Sequence, residues 1–240
     1  MKFAKVRNQV DIQILDLSHN ELGSETPMFI DPLIESLIQL NLSGTKLGNK
    51  GACEFAKSLR DNVDAKKSNR GKLRFLDVSH NNIGSVGVLK IMGRLKKSQT
   101  LINLNMSNND LSEKPTHFNQ LENILLKNKS LQVLNLSNCK LVPESMAFLA
   151  RGMANNTSLH KLVLSENGLI GKEGLGKLCD ALIDKSEIKL VDLELAKCAI
   201  TSEGAKHLIK LLNSKVKLRH LNLKDNAIQD EAAIEILGSL

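Results

Sequence analysis

Aromatic residues are scarce in this sequence, which contains no Trp, no Tyr and six Phe among 240 residues. Proteins that bind single-stranded nucleic acids usually stack bases on aromatic side chains, and protein-binding hot spots favour Trp, Tyr and Arg. The scarcity therefore argues against a nucleic-acid partner, and it leaves few strong anchors for a protein partner.

Long apolar runs and clustered cysteines are also missing. No stretch approaches the roughly 18 apolar residues of a membrane span, and residues 1–11 lack the apolar core of a signal peptide. The spacing of the cysteines suits neither a disulfide scaffold nor a zinc site built from close pairs. We therefore expect a cytoplasmic protein with no metal and with four structural thiols, at Cys53, Cys139, Cys179 and Cys198.

One leucine pattern recurs eight times along the chain. In its clearest copy, Leu131, Leu134, Leu136, Cys139 and Leu141 stand at offsets 0, 3, 5, 8 and 10. A five-residue strand can bury its alternating leucines only if something covers that face, and stacked copies cover one another. The pattern predicts one parallel strand per copy, each followed by a helix. The second apolar position falls at Leu15, Leu40, Leu76, Leu104, Leu134, Leu162, Leu193 and Leu221.

The segments between the strands carry apolar residues at helical spacing. Ala205, Leu208, Ile209 and Leu212 stand at i, i+3, i+4 and i+7, and four other segments repeat this stripe. Eight residues after the first leucine, each copy carries Asn, Thr or Cys, which we expect to face inward and to bond the backbone where it leaves the strand. These residues are Asn20, Thr45, Asn81, Asn109, Cys139, Asn167, Cys198 and Asn226.

The alternation of Cys and Asn in the last four copies, with repeats of about 28 and 30 residues, resembles the ribonuclease-inhibitor-like subfamily of leucine-rich-repeat proteins. The resemblance implies an α/β fold, a right-handed leucine-rich-repeat solenoid or horseshoe with a parallel sheet on the concave face and helices on the convex face. It also implies a glycine early in each helix, where helix and strand approach closely. Glycines stand at that place at Gly51, Gly87, Gly174 and Gly204.

We expect residues 1–240 to form a single domain of eight repeats with an irregular N-terminal end. Thr45 replaces the expected Asn or Cys there, and the first helix must fit a short segment that contains Pro27 and Pro32. The second repeat is longer than its neighbours, and the excess maps to a polar loop at residues 61–72. Such a loop is either tolerated length or part of a binding face.

Residues between the buried leucines should point out from the concave face, which is mostly polar and slightly acidic. Phe75 and Val133 are the best apolar anchors on it, so the third to fifth repeats are the first place to look for a partner. The alternative is a solvated sheet face with no partner. The candidate partner-binding residues are Phe75, Asp77, His80, Asn105, Val133 and Asn135.

The formal net charge is +7, from 33 Lys and Arg against 26 Asp and Glu. The cations cluster near the predicted helix C-terminal ends, where they complement the helix dipole. This placement predicts a basic rim with an ordinary structural cause, although such a rim could also hold an acidic protein or a polyanion. The clusters contain Arg94, Lys96, Lys97, Lys127, Lys129, Lys185, Lys189, Lys215 and Lys217.

Catalysis needs a convergent nucleophile, base or metal set, and the sequence contains no recognised motif for one. The glycines follow the repeat instead of forming a phosphate loop, and His220 is interpreted as a single imidazole without a partner. We therefore expect no enzyme activity, no cofactor and no small-molecule substrate. The predicted function is a protein–protein interaction scaffold. The alternatives are a GTPase-activating or other regulatory protein acting on a small GTPase, and a microbial effector that binds host proteins.

Overall fold

The computed structural model describes residues 11–59, 72–96, 98–183, 185 and 187–240. Eight strands form one parallel sheet in chain order, and every strand pairs with the next through its second leucine, from Leu15 beside Leu40 to Leu193 beside Leu221. The strands are β1 Ile14–Asp16, β2 Gln39–Asn41, β3 Phe75–Asp77, β4 Asn103–Asn105, β5 Val133–Asn135, β6 Lys161–Val163, β7 Asp192–Glu194 and β8 His220–Asn222.

The strands are three residues long, shorter than the five-residue strands predicted from the leucine spacing. Backbone hydrogen bonds nevertheless continue on both sides of each strand, as in the bonds from Gln132 N to Ile102 O and from Leu136 N to Val163 O, at 2.8 and 2.9 Å. The parallel hydrogen bonding therefore continues into the loop backbone before and after each strand.

A helix follows every strand and packs against the helices of the neighbouring repeats. Four of the five predicted stripes are fully buried, while Ile209 and Leu212 of the stripe on the seventh helix are half-buried. Phe55 on the second helix is fully enclosed. The helices are α1 Thr26–Ile30, α2 Gly48–Ser58, α3 Ser85–Leu95, α4 Asn119–Lys127, α5 Pro143–Met153, α6 Gly171–Leu182, α7 Ser202–Leu212 and α8 Asp230–Gly238, with short 3-10 helices at Gly23–Glu25 and Pro115–Phe118. As expected, α1 is short, and with five residues it is the shortest α-helix of the described residues.

The leucines of the interior strands form a continuous core between the sheet and the helices. Leu104, Leu134 and Leu162 are completely buried, whereas Leu15 and Leu221 on the two outer strands are only half-buried. Burying one leucine side chain stabilises a protein by about 1.5–3 kcal/mol. Each repeat therefore depends on a neighbour for its interior, as expected for a solenoid.

The early glycine of the helix fits against two neighbours, whereas the prediction was an approach of helix and strand. A Cβ on Gly87 would lie 2.5 Å from Ile83 Cγ2 in the turn between β3 and α3, and the second neighbour is the preceding helix. A Cβ on Gly87 of α3 would lie 2.8 Å from the Ala52 Cβ on α2, and one on Gly174 of α6 would lie 3.0 Å from Met146 Cγ on α5. Both distances are shorter than ordinary carbon contacts. The missing Cβ therefore sets the spacing within the helix layer.

The residue directly before the inward-facing Asn, Thr or Cys has a positive φ in all eight repeats. Only one of these residues is glycine, and the others accept a left-handed backbone that glycine, Asn and Asp adopt most easily. The turn explains why His19 and His80 occupy equivalent positions. The full set is His19, Gly44, His80, Asn108, Asn138, Glu166, Lys197 and Asp225.

Candidate functional site

The outward face of the sheet is open in the described part of the chain, because its side chains are exposed, as at Gln39 and His220, or half-buried, as at Lys161. Phe75 is 40% exposed on this face, between Gln39 of β2 and Asn103 of β4. Val133 is half-buried on β5, so Asn103 stands between the two predicted apolar anchors. Two strand spacings, roughly 10 Å, separate their strands, and the structure does not bring their side chains into one patch.

The polar candidates on the face are partly used by the protein itself. Asp77, Asn105 and Asn135 each accept a hydrogen bond from the backbone N–H two residues later, at 2.8, 3.1 and 2.9 Å. Asn105 Nδ2 also donates to Asp77 Oδ2 at 2.7 Å, so these two side chains form a pair across β3 and β4. Ser79 Oγ also donates to Asp77 Oδ1 at 2.6 Å, so both carboxylate oxygens of Asp77 and both amide atoms of Asn105 have partners within the protein. Their first role is to close the end of each strand.

His80 lies in the turn after β3 instead of on the strand. Its side chain is exposed, its φ is 54°, and its backbone N–H donates to Ser107 O at 3.0 Å. His80 therefore stands at the edge of the outward face, beyond the Asp77 and Asn105 pair. The repeat turn accounts for its backbone and leaves its imidazole available.

Sequence reasoning missed a charged cluster at the other end of the same face. His220 of β8 was expected to lack a partner, but its Nδ1 lies 2.7 Å from Asp192 Oδ1 and 3.6 Å from Glu194 Oε1 on β7. Lys161 of β6 completes the cluster, with its Nζ 2.9 Å from Asp192 Oδ2 and 3.0 Å from Glu194 Oε1. The expectation was wrong because the register places these residues side by side on consecutive strands.

The cluster shifts the protonation of its members. Burial raises the pKa of Asp192, but hydrogen bonds from His220 and Lys161 outweigh it and hold the pKa below its usual range. Burial likewise opposes the hydrogen bonds from Asn222 and Lys161 that lower the pKa of Glu194. The hydrogen bond to Asp192 raises the pKa of Lys161 against the cost of its burial. All three groups therefore stay charged at neutral pH.

Asp192, Glu194 and His220 also offer three metal-ligand atoms within 4.8 Å of one another. The Lys161 ammonium, however, already lies against both carboxylates, so the positive charge that a metal ion would supply is present in the side chains themselves. The geometry of the cluster suits a salt-bridge network that orders one end of the face.

The inward-facing column is structural, as predicted, although its hydrogen bonds join neighbouring repeats and not only the turn of one repeat. Asn167 Oδ1 accepts from the backbone N–H groups of Cys139 and Leu141, both at 3.0 Å, while its Nδ2 donates to Leu136 O and Leu164 O at 2.9 and 2.7 Å. Asn81, Asn109 and Asn226 make the same set of bonds.

Three of the four thiols are buried, and all four are free. Burial raises the pKa of Cys139 and of Cys179 to about 12 and that of Cys198 to about 11. Cys139 Sγ donates to Met106 O at 3.4 Å, and Cys198 Sγ donates to Leu164 O at 3.2 Å. These thiols therefore stay protonated at neutral pH and are poor nucleophiles.

The predicted basic clusters lie where the helices return to the strands, and all their described members are exposed except Lys96, which is half-buried. The prediction did not include Lys72, Arg74 and Arg219, which are exposed on the same side. We call the following exposed cations the basic rim: Lys72, Arg74, Arg94, Lys127, Lys129, Lys185, Lys189, Lys215, Lys217 and Arg219. Arg94 and Lys127 lie in the last turns of α3 and α4, as the helix-dipole argument requires. Lys97 lies outside the described residues. So does the predicted loop at residues 61–72, except for Lys72.

Two sequence profiles of one repeat family match this chain. The profile described as "Leucine Rich repeat" matches residues 72–92, 155–179, 188–208 and 214–237, and the profile described as "Leucine Rich Repeat" matches residues 11–33 and 130–149. Together they cover more than half of the sequence, in register with the strands and helices described above. This chain belongs to the leucine-rich-repeat proteins.

Curated relatives place this leucine-rich-repeat protein near the ribonuclease inhibitors. The ribonuclease inhibitor of Sus scrofa is 28% identical over 207 residues, which is 86% of this chain and 43% of the inhibitor. The inhibitor of Mus musculus is 29% identical with the same coverage. The human "NACHT, LRR and PYD domains-containing protein 5" is 30% identical over 195 residues, or 81% of this chain and 15% of that protein.

This leucine-rich-repeat protein therefore has ribonuclease-inhibitor-like repeats, and it spans less than half the length of the inhibitors it matches. Among solved structures, the tropomodulin C-terminal domain of Caenorhabditis elegans has a similar fold, with a TM-score of 0.51 at 15% identity over 62% of this chain and 88% of that chain. No helix in the described residues has the length and hydropathy needed to cross a membrane.

Proposed function

We propose that this chain is a non-catalytic protein-recognition module whose partner binds the outward face of the sheet at β3 to β5. The observation that carries the proposal is the open face itself, on which Phe75 is 40% exposed beside the paired Asp77 and Asn105 side chains. An apolar side chain among fixed polar groups is the usual arrangement of a protein-binding surface. Asn135, Val133 and His80 extend the surface on either side.

The comparisons support a binding role. Ribonuclease inhibitors are named for their action on another protein, and their repeats align with 86% of this chain. The sheet also fits such a role physically, since eight short strands present a long face that is already ordered before a partner arrives. A preordered surface avoids much of the conformational entropy lost on binding.

The proposal includes a single domain of eight repeats in the cytoplasm and no enzyme activity. The free thiols support a reducing compartment, because three of them are enclosed in the core with their protons retained. The charged cluster on β6 to β8 supports a non-catalytic role, because Lys161 and His220 already bond its carboxylates.

Affinity capture from an extract of the native cell tests the proposal when it compares Phe75→Ala with Leu169→Ala. Leu169 is the matched control, since it is 60% exposed but lies outside the sheet face, two residues before the start of α6. We expect Phe75→Ala to lose a partner that the unchanged chain and Leu169→Ala both retain. Equal capture by all three chains would contradict the proposed site.

A panel of small GTPases tests the regulatory alternative. We expect the same rate of GTP hydrolysis with and without substoichiometric amounts of this chain. An accelerated rate for one GTPase would replace the scaffold function with an activating one.

A further inference from the structure

A groove on the basic rim has the chemistry of a peptide-binding site. It lies at the edge where the chain enters the strands, and Ile38, Arg74 and Ile102 stand there on three neighbouring repeats, joined by backbone hydrogen bonds of 2.8 Å. The two isoleucines are half-buried and form an apolar floor, while Arg74 and Lys72 are exposed above it. Gln99 and Gln132 add exposed amide groups along the sides.

The cations of this groove differ in their ion pairing from the cations at the carboxyl ends of the strands. Past the carboxyl ends of the strands, acidic and basic side chains pair from one repeat to the next, as in Glu21 with Lys46, Asp110 with Lys140 and Glu166 with Lys197. Within the described residues, neither Lys72 nor Arg74 lies within ion-pair distance of an acidic group. Their positive charge is therefore available to a ligand.

Positive charge also continues along the rim beyond the groove. Lys127 and Lys129 are exposed next to Gln132, and the described residues provide no ion pair for either of them. Like charges in neighbouring repeats repel one another, and a bound anion relieves that repulsion. The charge therefore favours a negatively charged partner over a neutral one.

The floor of the groove favours a polypeptide over a nucleic acid. Ile38 and Ile102 offer apolar contact without the flat aromatic surface on which bases stack. Glutamine amides can donate to and accept from a peptide backbone, and an arginine guanidinium binds a carboxylate with two parallel hydrogen bonds. We infer that this groove binds an acidic polypeptide segment in which carboxylates alternate with apolar side chains.

The inference rests on the proposed function, since it names the chemistry of one part of the protein partner. It also gives that partner a continuous path, because Phe75 follows Arg74 directly and faces outward on β3. A single segment can therefore contact the groove and then the sheet face.

Fluorescence anisotropy with a labelled peptide that alternates Glu and Leu tests the inference. The test variant is Lys72→Gln with Arg74→Gln, and the matched control is Lys215→Gln with Lys217→Gln, which removes the same charge from the same rim outside the groove. We expect the test variant to weaken binding about tenfold and the control less than about twofold, because only the groove makes charge-assisted hydrogen bonds to the peptide. Equal weakening by both variants would overturn the inference in favour of a diffuse positive field.

Two further probes separate the other ligands. A peptide with Ser in place of Leu should bind several-fold more weakly, and a single-stranded oligonucleotide of equal charge should bind with no loss in the test variant beyond that of the control. An oligonucleotide that binds more tightly than the peptide and is lost in the test variant would overturn the assignment to a polypeptide. An unchanged affinity for the Ser peptide would overturn the role of the isoleucine floor.

The Phe75→Ala capture experiment keeps this inference distinct from the proposed function. If Phe75→Ala loses the captured partner while the Lys72 and Arg74 variant retains that partner and binds the peptide as tightly as the control does, the groove inference fails and the proposed function stands. If Phe75→Ala has no effect but the peptide result is positive, the sheet-face site fails and the groove remains.

Discussion

Two columns of asparagine side chains run along the same sheet, one facing inward and one facing outward, and they do different work. Asn167 in the inward column is completely buried and bonds the backbone of two repeats through both of its polar atoms. Asn135 in the outward column is half-buried and accepts one hydrogen bond, from Ser137 N. Whether an asparagine is structural therefore depends on how many backbone N–H and C=O groups around it need a hydrogen-bond partner, and not on the residue type.

The largest expected difference between the columns is in stability. Asn167→Ala leaves four buried backbone groups without their partners, and we expect it to lower the free energy of unfolding by about 3 kcal/mol. Asn135→Ala removes one bond at a solvated strand end and should cost less than about 1 kcal/mol. Urea unfolding followed by circular dichroism measures both variants. Similar losses for the two would show that the outward column is structural as well.

The second difference concerns binding. Phe75→Ala on the outward face should leave the free energy of unfolding nearly unchanged. It should weaken the affinity for the captured partner about tenfold or more, since truncating a hot-spot residue costs more than 1 kcal/mol of binding energy. Isothermal titration with the purified partner measures the effect, with Leu169→Ala as the control. A large loss of stability in Phe75→Ala would mean that this side chain serves the fold rather than the partner.

A smaller effect is expected from the charged cluster of Lys161, Asp192, Glu194 and His220 on the outward face. The folded pKa values of Asp192 and Glu194 lie below the ordinary values of 3.8 and 4.5. Their contribution to stability is therefore complete above about pH 4.5 and is lost as the pH falls through the lowered folded values. The Asp192→Asn, Glu194→Gln double variant should be about 1 kcal/mol less stable at neutral pH and should lose less stability on acidification than the unchanged chain.

Urea unfolding at a series of pH values measures this dependence. Parallel loss of stability in both proteins between neutral pH and the acid limit would contradict the linkage.

The smallest effect is expected from thiol chemistry in the interior. Cys139, Cys179 and Cys198 are buried with raised pKa values, so a disulfide reagent should leave them unmodified in the folded protein at neutral pH. Cys53 is half-exposed on α2 and is the residue expected to react first. Mass spectrometry of the labelled protein checks this, and rapid labelling of Cys139 or Cys198 would show that the inward column opens readily.

The sequence was sufficient to predict the register of the sheet, because the second leucine of each copy has a single place where it can be buried. The inward column was predictable for the same reason. The helix α4 was not among the five helical stripes, since Pro115 and a 3-10 helix precede its short apolar run at Leu121, Ile124 and Leu125.

Contacts on the outward face were harder to predict, because a side chain there can reach several neighbours. Lys161, Asp192 and His220 occupy one column on consecutive strands, so the repeat alignment contained the signal for the cluster. The cluster is not visible within the repeat of His220 alone, because its other members lie in the two preceding repeats. The helix contact of Gly87 was missed because it depends on the distance between two helices, which the leucine spacing does not specify.

Substitutions in the left-handed turns can raise the stability of this protein without a change of fold. Beside the turn position shared by all repeats, Ala199 also has a φ of 52°, and its side chain is exposed. Alanine in this conformation costs roughly 1 kcal/mol that asparagine largely avoids. The repeat consensus therefore tolerates residues that are locally unfavourable, and a single exchange such as Ala199→Asn, outside the proposed surface at β3 to β5, should give a more heat-resistant protein.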